Sequence, residues 1–238
     1  MSSIPLYYED TYHFSGEGIV ESLGQDEKGY FIVLDKTLFY PQGGGQPSDR
    51  GHVIFEGKKI LIHAVKVIDK QIRHYTDAGH PEILHKPVIL NIDPDARIMH
   101  ATLHTAGHLV SNAVEDFSQD FTAIKGHHFP GECYVEFSIV ANSRILDLNV
   151  IQQRIDVLID QSLPIQKRNV SADQLESICP GLPYTIPQHE LVRLIKIGSF
   201  AYQPCGGTHL HTLSGLKGLK LTKQKIKGNK IKIYYNVN

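Results

Sequence analysis

Two short segments of this sequence carry metal-binding side chains at spacings that one ion could use. In 104-HTAGH-108, His104 and His108 are four residues apart, so on a helix they share a face, one turn from each other. In 204-PCGGTH-209, Cys205 and His209 are also four apart, and Gly206 and Gly207 let the loop turn tightly enough to aim both inward. Three imidazoles and one thiolate suit one tetrahedral zinc ion. Neither segment is strong alone, since a histidine pair at i, i+4 is often only a polar face. The case rests on finding both. His100 extends the helical stripe by a turn; it either supports the ligands from behind or is a surface histidine, the second being the plainer reading. Cys133 and Cys179 have no partner at ligand spacing and read as core residues.

Other chemistries are excluded by what is missing. The helix segment is HTAGH, with Thr105 where a metalloprotease needs its glutamate base. The glycine-rich stretch GGGQPS has no following GK[S/T], so it is not a phosphate-binding P-loop. Three cysteines at irregular spacing do not make a disulfide framework and fit a reducing cytoplasm. The N-terminus lacks the basic and apolar regions of a signal peptide, and no apolar run approaches the ~20 residues that span a bilayer. Twenty-four basic against twenty-five acidic residues leave no overall attraction for nucleic acid, so any RNA contact must come from a local patch.

The elements that position these segments can be read from periodicity. The first ninety residues are β-rich: 29–40, 51–57 and 58–69 are short apolar or alternating runs, and their even spacing suggests a small barrel or sandwich. Between them, 40-YPQGGGQPSDRG-51 is a loop. At 94–117 the period changes. Asp93 is a cap, Pro94 suits the first helical position, and Leu103, Ala106, Val110, Ala113 and Phe117 share a face. This predicts a β-barrel-like domain at 1–90 and an α+β domain at 91–238, with the boundary near Pro87–Asn91. Further helices are predicted at 147–163, closed by Pro164, and at 172–178. A strand is predicted at 191–198, and a hairpin over 219–237 turning at Gly228-Asn229. Without a regular βαβ rhythm, the class is α+β with a mainly antiparallel sheet.

In order and separation, 39-FYPQGGGQPSDRG-51, 104-HTAGH-108 and 205-CGGTH-209 resemble the editing region of alanyl-tRNA synthetases. The closest likeness is to free-standing alanyl-tRNA editing proteins of intermediate length (AlaX type), and it covers nearly the whole chain. The resemblance implies hydrolysis of the ester joining serine or glycine to tRNA-Ala, in the cytoplasm, with one Zn2+ held by His104, His108, Cys205 and His209. It also implies that the loop of Gln42, Gly43, Gly44, Gly45 and Gln46 walls the site. Contacts to the substrate amino acid would come from Gly107, Ile124, Lys125, Gly126 and His127. Two positions depart from the pattern. Gly107 stands where many synthetase editing domains have Thr, and Ile124 where they often have Gln. His127 and His128 either replace those contacts or are exposed strand-end residues, the second being the plainer reading.

For RNA, Lys217, Lys220, Lys223, Lys225 and Lys227, with Lys230 and Lys232, crowd the C-terminal hairpin. They either track phosphates or protect a solvated edge. No DNA or membrane partner is implied. A zinc-stabilised tRNA-binding module without catalysis, or an editor of another aminoacyl-tRNA such as a threonyl relative, are the alternative readings.

Overall fold

The computed structural model describes residues 3–140, 146–180 and 191–238. Its contacts group into two units, Met1–Ala101 and Thr102–Asn238.

The first unit holds β1 (Ile4–Pro5), β2 (Ser15–Asp26), β3 (Gly29–Leu34), β4 (Lys36–Thr37), β5 (Gly51–Phe55), β6 (Lys58–Ile62), β7 (Ala64–Ile68), β8 (Gln71–Thr76) and β9 (Pro87–Ile92). Seven of them form one antiparallel sheet in the order β6-β5-β9-β2-β3-β8-β7, while β1 and β4 make a short parallel pair. The long strand β2 joins the two halves: Ser15–Ile19 pair with β9 and Val20–Asp26 with β3. Gly16, Gly18 and Gly24 hide this strand from an apolar-alternation reading. The run 58–69 is two strands split at His63, whose N–H bonds to the Tyr75 carbonyl at 3.2 Å. These strands are the two edges of the sheet. It therefore curls until its edges meet at that corner, but no ladder joins β6 to β7 among the described residues.

Helix α1 (Pro94–Phe117) follows. The Asp93 carboxylate accepts from the Ala96 N–H at 3.1 Å, the capping expected of this residue. The first turns of α1 belong with the first unit because Arg97 ties them there. Its fully buried guanidinium bonds the Asp49 carboxylate and the carbonyls of Leu38 and Thr11. Asp49 in turn accepts from the Tyr40 N–H at 2.6 Å and donates its own N–H to the Tyr40 carbonyl at 2.9 Å. A buried ion pair is tolerable when its remaining hydrogen-bonding capacity is used in this way. The pair fixes the base of the glycine-rich loop. At its tip Gly43 and Gln46 exchange backbone bonds of 3.2 and 2.8 Å, and Gly44 and Gly45 have φ of 54° and 78°. A two-residue turn with both φ positive requires glycine or its few substitutes. His100, read as a surface residue, is in fact buried, with 8% of its surface exposed.

In the second unit, β10 (Phe121–Phe129), β11 (Glu132–Ile139), β15 (Leu219–Lys227) and β16 (Lys230–Val237) form an antiparallel sheet in the order β10-β11-β16-β15. Leu103, Ala106, Leu109, Val110 and Ala113 of α1 share one core with Val135, Phe137, Ile231 and Ile233 of its inner face. Helix α2 (Leu148–Asp160) adds Ile151, Ile155 and Ile159 to that core, with Asp147 capping it through the Asn149 N–H at 2.9 Å. It stops before the predicted 163 because Ser162 adopts φ 50°. A second sheet, β12-β13-β14, contains β12 (Ile165–Ser171), β13 (Leu191–Ile197) and β14 (Gln203–Pro204), and helix α3 (Ala172–Ile178) packs beside it. The class is α+β with mainly antiparallel sheets. No described helix is long and apolar enough to cross a membrane. Cys133 and Cys179 are buried, and burial pushes the Cys133 thiol up to about 11.

Both outer strands of the four-stranded sheet carry a bulge, between Ala123 and Lys125 in β10 and between Leu221 and Lys223 in β15. Each bulge inverts the alternation of its strand. Phe121 and Ala123 point inward, and then so do Gly126 and His128. Leu219 and Leu221 point inward, but Lys223, Lys225 and Lys227 point outward.

Candidate metal centre

His104, His108, Cys205 and His209 each offer one ligand atom, and these four atoms lie within 4.8 Å of one another. The Cys205 Sγ is 3.2 Å from His209 Nε2 and 3.5 Å from His104 Nε2. Around a zinc ion with bonds of 2.0–2.3 Å, the N···S edge of a tetrahedron is roughly 3.5 Å. Spacing and donor chemistry thus fit one ion. Burial opposes a thiolate at Cys205, but the charges and hydrogen bonds of His104 and His108 outweigh it and hold the thiol well below its usual value. Burial lowers His104 and His209 well below the ordinary imidazole range. It acts the same way on His108, but there Cys205 and Gln203 outweigh it and raise the value. A metal ion takes up a thiolate and neutral imidazoles, so His104 and His209 are already in the ligating state while His108 would give up a proton on metal binding.

The neighbours of the cluster orient it. Fully buried Thr105 lies next to His104 on α1. Its Oγ1 accepts from the Leu210 N–H and sits 3.1 Å from His209 Nδ1. With Nε2 turned toward Cys205 as the ligand atom, a proton on Nδ1 would be shared with the Thr105 hydroxyl. Gln203 does the same for His108, its Oε1 lying 2.6 Å from Nδ1 while its amide nitrogen donates to Asn112 Oδ1 at 3.1 Å. The Gln203 oxygen thus faces the histidine while its nitrogen faces Asn112. Arg193, on β13, grips the glycine loop by its backbone, donating to the carbonyls of Cys205 at 2.9 Å and Gly207 at 2.8 Å. The Gly207 N–H points at Cys205 Sγ from 3.3 Å.

His128 is also part of this site. It is buried, against the plainer expectation of an exposed strand end, and its ring stacks on His104 with centroids 4.6 Å apart. The Tyr235 hydroxyl donates to the Leu103 carbonyl at 2.9 Å, so its oxygen accepts from His128 Nδ1 at 2.6 Å. Burial lowers His128 to about 3, which leaves it neutral with Nε2 bare. Two glycines make room for the ring. A Cβ on Gly107 would lie 2.2 Å from His128 Cε1, and one on Gly126 would lie 2.3 Å from Nε2. The glycine at 107 and the histidine at 128 are thus one steric unit.

The other expected contacts are distributed differently. Ile124 occupies the bulge of β10 with its side chain exposed. Lys125 and His127 project from the outer face of the sheet. There His127 stacks on Phe129 at 4.5 Å and on Tyr134 at 5.1 Å, and Tyr134 meets Tyr234 at 5.4 Å. Lys223, Lys225 and Lys227 share this face. Lys220 does too, 3.8 Å from Asp156, while Lys217 is exposed after the short helix Leu213–Leu216. Gln42–Gln46 belong to the first unit. Thr105 and Gln203 are site residues that the sequence reading misses, and each carries a faint signal: Thr105 is a polar residue between two ligands on an apolar helix, and Gln203 stands two residues before Cys205.

Comparison with known proteins gives these motifs a setting. Residues 8–96 match the family of class II (A) tRNA synthetases, and residues 192–232 match the second additional domain of threonyl and alanyl tRNA synthetases. The chain is 31% identical to the alanyl-tRNA editing protein AlaX-M of Methanosarcina barkeri, over 94% of this chain and 93% of that one. It is equally similar to AlaX-M of Methanosarcina acetivorans, over 94% of each. The alanine–tRNA ligase of Caldivirga maquilingensis is 28% identical over 92% of this chain, which spans 25% of that larger protein.

Proposed function

The chain belongs to the AlaX-M alanyl-tRNA editing proteins, and on that premise we propose that it removes serine or glycine from mischarged tRNA-Ala in the cytoplasm, as a carboxylic ester hydrolase. The observation that carries this reading is the convergence of His104, His108, Cys205 and His209 within 4.8 Å, with Thr105 and Gln203 orienting the rings of His209 and His108. These residues would hold one zinc ion per chain, and the ion would supply a Lewis acid for orienting the aminoacylated 3′ end of the substrate. Water adds to the ester carbonyl, the bond to the ribose oxygen breaks, and the proton passes to that oxygen, giving free amino acid and uncharged tRNA-Ala.

The protein's own groups hold this geometry. Thr105 and Gln203 lock the rings of His209 and His108, Arg193 fixes the loop, and His128 with Gly107 shapes the wall beside His104. The Gln42–Gln46 turn carries the substrate contacts that the resemblance implies. The hairpin lysines Lys217, Lys220, Lys223, Lys225 and Lys227 attract the RNA. The selective logic is physical. A site that accepts alanine cannot strongly reject glycine, which is smaller, or serine, which adds only a hydroxyl, so a second hydrolytic site is needed.

The test is to offer seryl-, glycyl- and alanyl-tRNA-Ala to the purified protein, with threonyl-tRNA-Thr beside them. Release of serine or glycine with alanine spared is the expected result. RNA binding without release of any amino acid would make the protein a zinc-stabilised binding module instead.

A further inference from the structure

The outer face of β10-β11-β16-β15 is built unlike the inner one, and the metal centre makes no use of it. Its middle is the aromatic row Phe129–His127–Tyr134–Tyr234, with adjacent centroids 4.5, 5.1 and 5.4 Å apart. Lysines lie over the rings: Lys232 is 4.1 Å from the centroid of Tyr134, and Lys223 and Lys225 are 4.7 and 5.7 Å from that of Tyr234. Alternation places seven lysines on this face, one from β10, two from β16 and four from β15, against two glutamates of β11. The whole chain has a net charge of −1, so this positive charge is concentrated.

Edge protection does not account for the arrangement. Lysines guard an exposed edge strand, and β15 is one. Lys230 and Lys232, however, lie on β16, and Tyr134 on β11, both interior strands of the sheet. Hydrophobic burial accounts for Tyr134 alone, since His127, Phe129 and Tyr234 are only half-buried and lie outside the core cluster.

We propose that this outer face is a platform for single-stranded RNA, with lysines along the phosphates and bases stacked on His127, Phe129 and Tyr234. Tyr134, beneath Lys232, is the floor that links them. An open four-stranded sheet with aromatic rings on its surface suits unpaired nucleotides, because every base offers a stacking face. The metal cluster lies on the α1 side of the same sheet. The platform therefore takes unpaired nucleotides other than the charged 3′ end. This rests on the reading that the substrate is a charged tRNA, and it adds a second anchoring surface.

The test is fluorescence anisotropy with a 12-nucleotide oligo(U) and an uncharged tRNA-Ala transcript, across a salt series. Phe129→Ala/Tyr234→Ala is expected to weaken oligo(U) binding by about tenfold or more. Tyr234→Phe, which keeps the ring, is expected to bind like the parent. Lys223→Glu/Lys225→Glu, at exposed positions that do not threaten the fold, is expected to flatten the log–log salt slope for oligo(U) by about 1.4 units. Parent-like binding by the double alanine variant would overturn the proposal. So would binding of phosphatidylserine vesicles in preference to RNA at the same salt, which would make the face a membrane contact. Since the RNA probes are uncharged, failure to hydrolyse any aminoacyl-tRNA would remove the editing function and leave this result standing.

Discussion

His127 and His128 are neighbours in sequence, yet they serve opposite faces of one sheet. His128 is buried against His104, has its proton direction set by Tyr235, and is driven to about 3 by loss of solvent. His127 is half-buried among Phe129 and Tyr134, in a row crossed by lysines. The groups around each face act in opposite senses. On the inner face burial disfavours charge, and only the Cys205 cluster gathers charge that a metal ion would neutralise. On the outer face the Tyr134 hydroxyl raises the ammonium of Lys232 and keeps it charged. A single sheet thereby separates a dry ligand site from a wet cationic surface, with the residue parity of one strand as the divider.

The inner face gives the largest expected effects. Cys205→Ala removes the only thiolate of the cluster and is expected to drop zinc well below one ion per chain, with seryl-tRNA-Ala hydrolysis falling by more than about 100-fold. Metal analysis alongside a deacylation assay measures both, and full zinc stoichiometry would take Cys205 out of the site. The outer-face RNA affinity of this variant is expected to stay at the parent value, which checks that the two faces are separable.

Gly107→Thr is a sharper probe, because it restores the residue found in many synthetase editing domains. A Cβ there meets His128 at 2.2 Å and the Tyr235 hydroxyl at 2.8 Å. Replacing helical glycine should gain a few tenths of a kcal/mol, while overpacking costs about 1–3 kcal/mol, so net destabilisation is expected. Gly107→Thr/His128→Ala removes the tighter contact, and the vacated ring space lets the Tyr235 hydroxyl, freed of its bond to His128, give way. The double variant is therefore expected to regain stability in urea unfolding and to shift the serine-to-glycine ratio. A single variant as stable as the parent would show that the ring does not fill that space.

The smallest effect belongs to the outer face. Glu136 pairs with Lys230 at 3.4 Å and Lys232 at 3.6 Å. Glu136 itself is largely buried, but its lysine partners are partly in solvent, and such pairs contribute about 1 kcal/mol or less, so Glu136→Gln should cost little stability. It frees two lysines and is expected to tighten RNA binding about two- to threefold at low salt. Weaker binding in this variant would mean that the pairs order the lysines rather than occupy them.

Much of the site was legible because its signals are local. The histidine pair, the CGGTH bend, the Asp93 cap with Pro94, and the Gly228-Asn229 turn each depend on residues within a few positions, and the helix predicted at 94–117 is the helix observed. The glycine loop was legible as a loop, but its anchor, the Asp49–Arg97 pair, joins residues 48 apart in sequence. The shell was not legible. Thr105 reaches His209 across 104 residues, Gln203 reaches His108 across 95, and Tyr235 reaches His128 across 107.

The sequence by itself determined the donor set, because ligand chemistry and helical spacing are properties of short segments. Only the tertiary structure decided which side chains surround it. In β10, alternation from Phe121 and Ala123 alone would turn Lys125 and His127 inward. In β15, alternation from Leu219 and Leu221 would bury Lys223, Lys225 and Lys227. One extra residue in each strand, Ile124 and Thr222, reverses both outcomes. Side chains in a strand repeat every two residues, so a one-residue insertion exchanges the faces. Where that insertion falls is set by pairing with β11 and β16, which the local sequence does not encode.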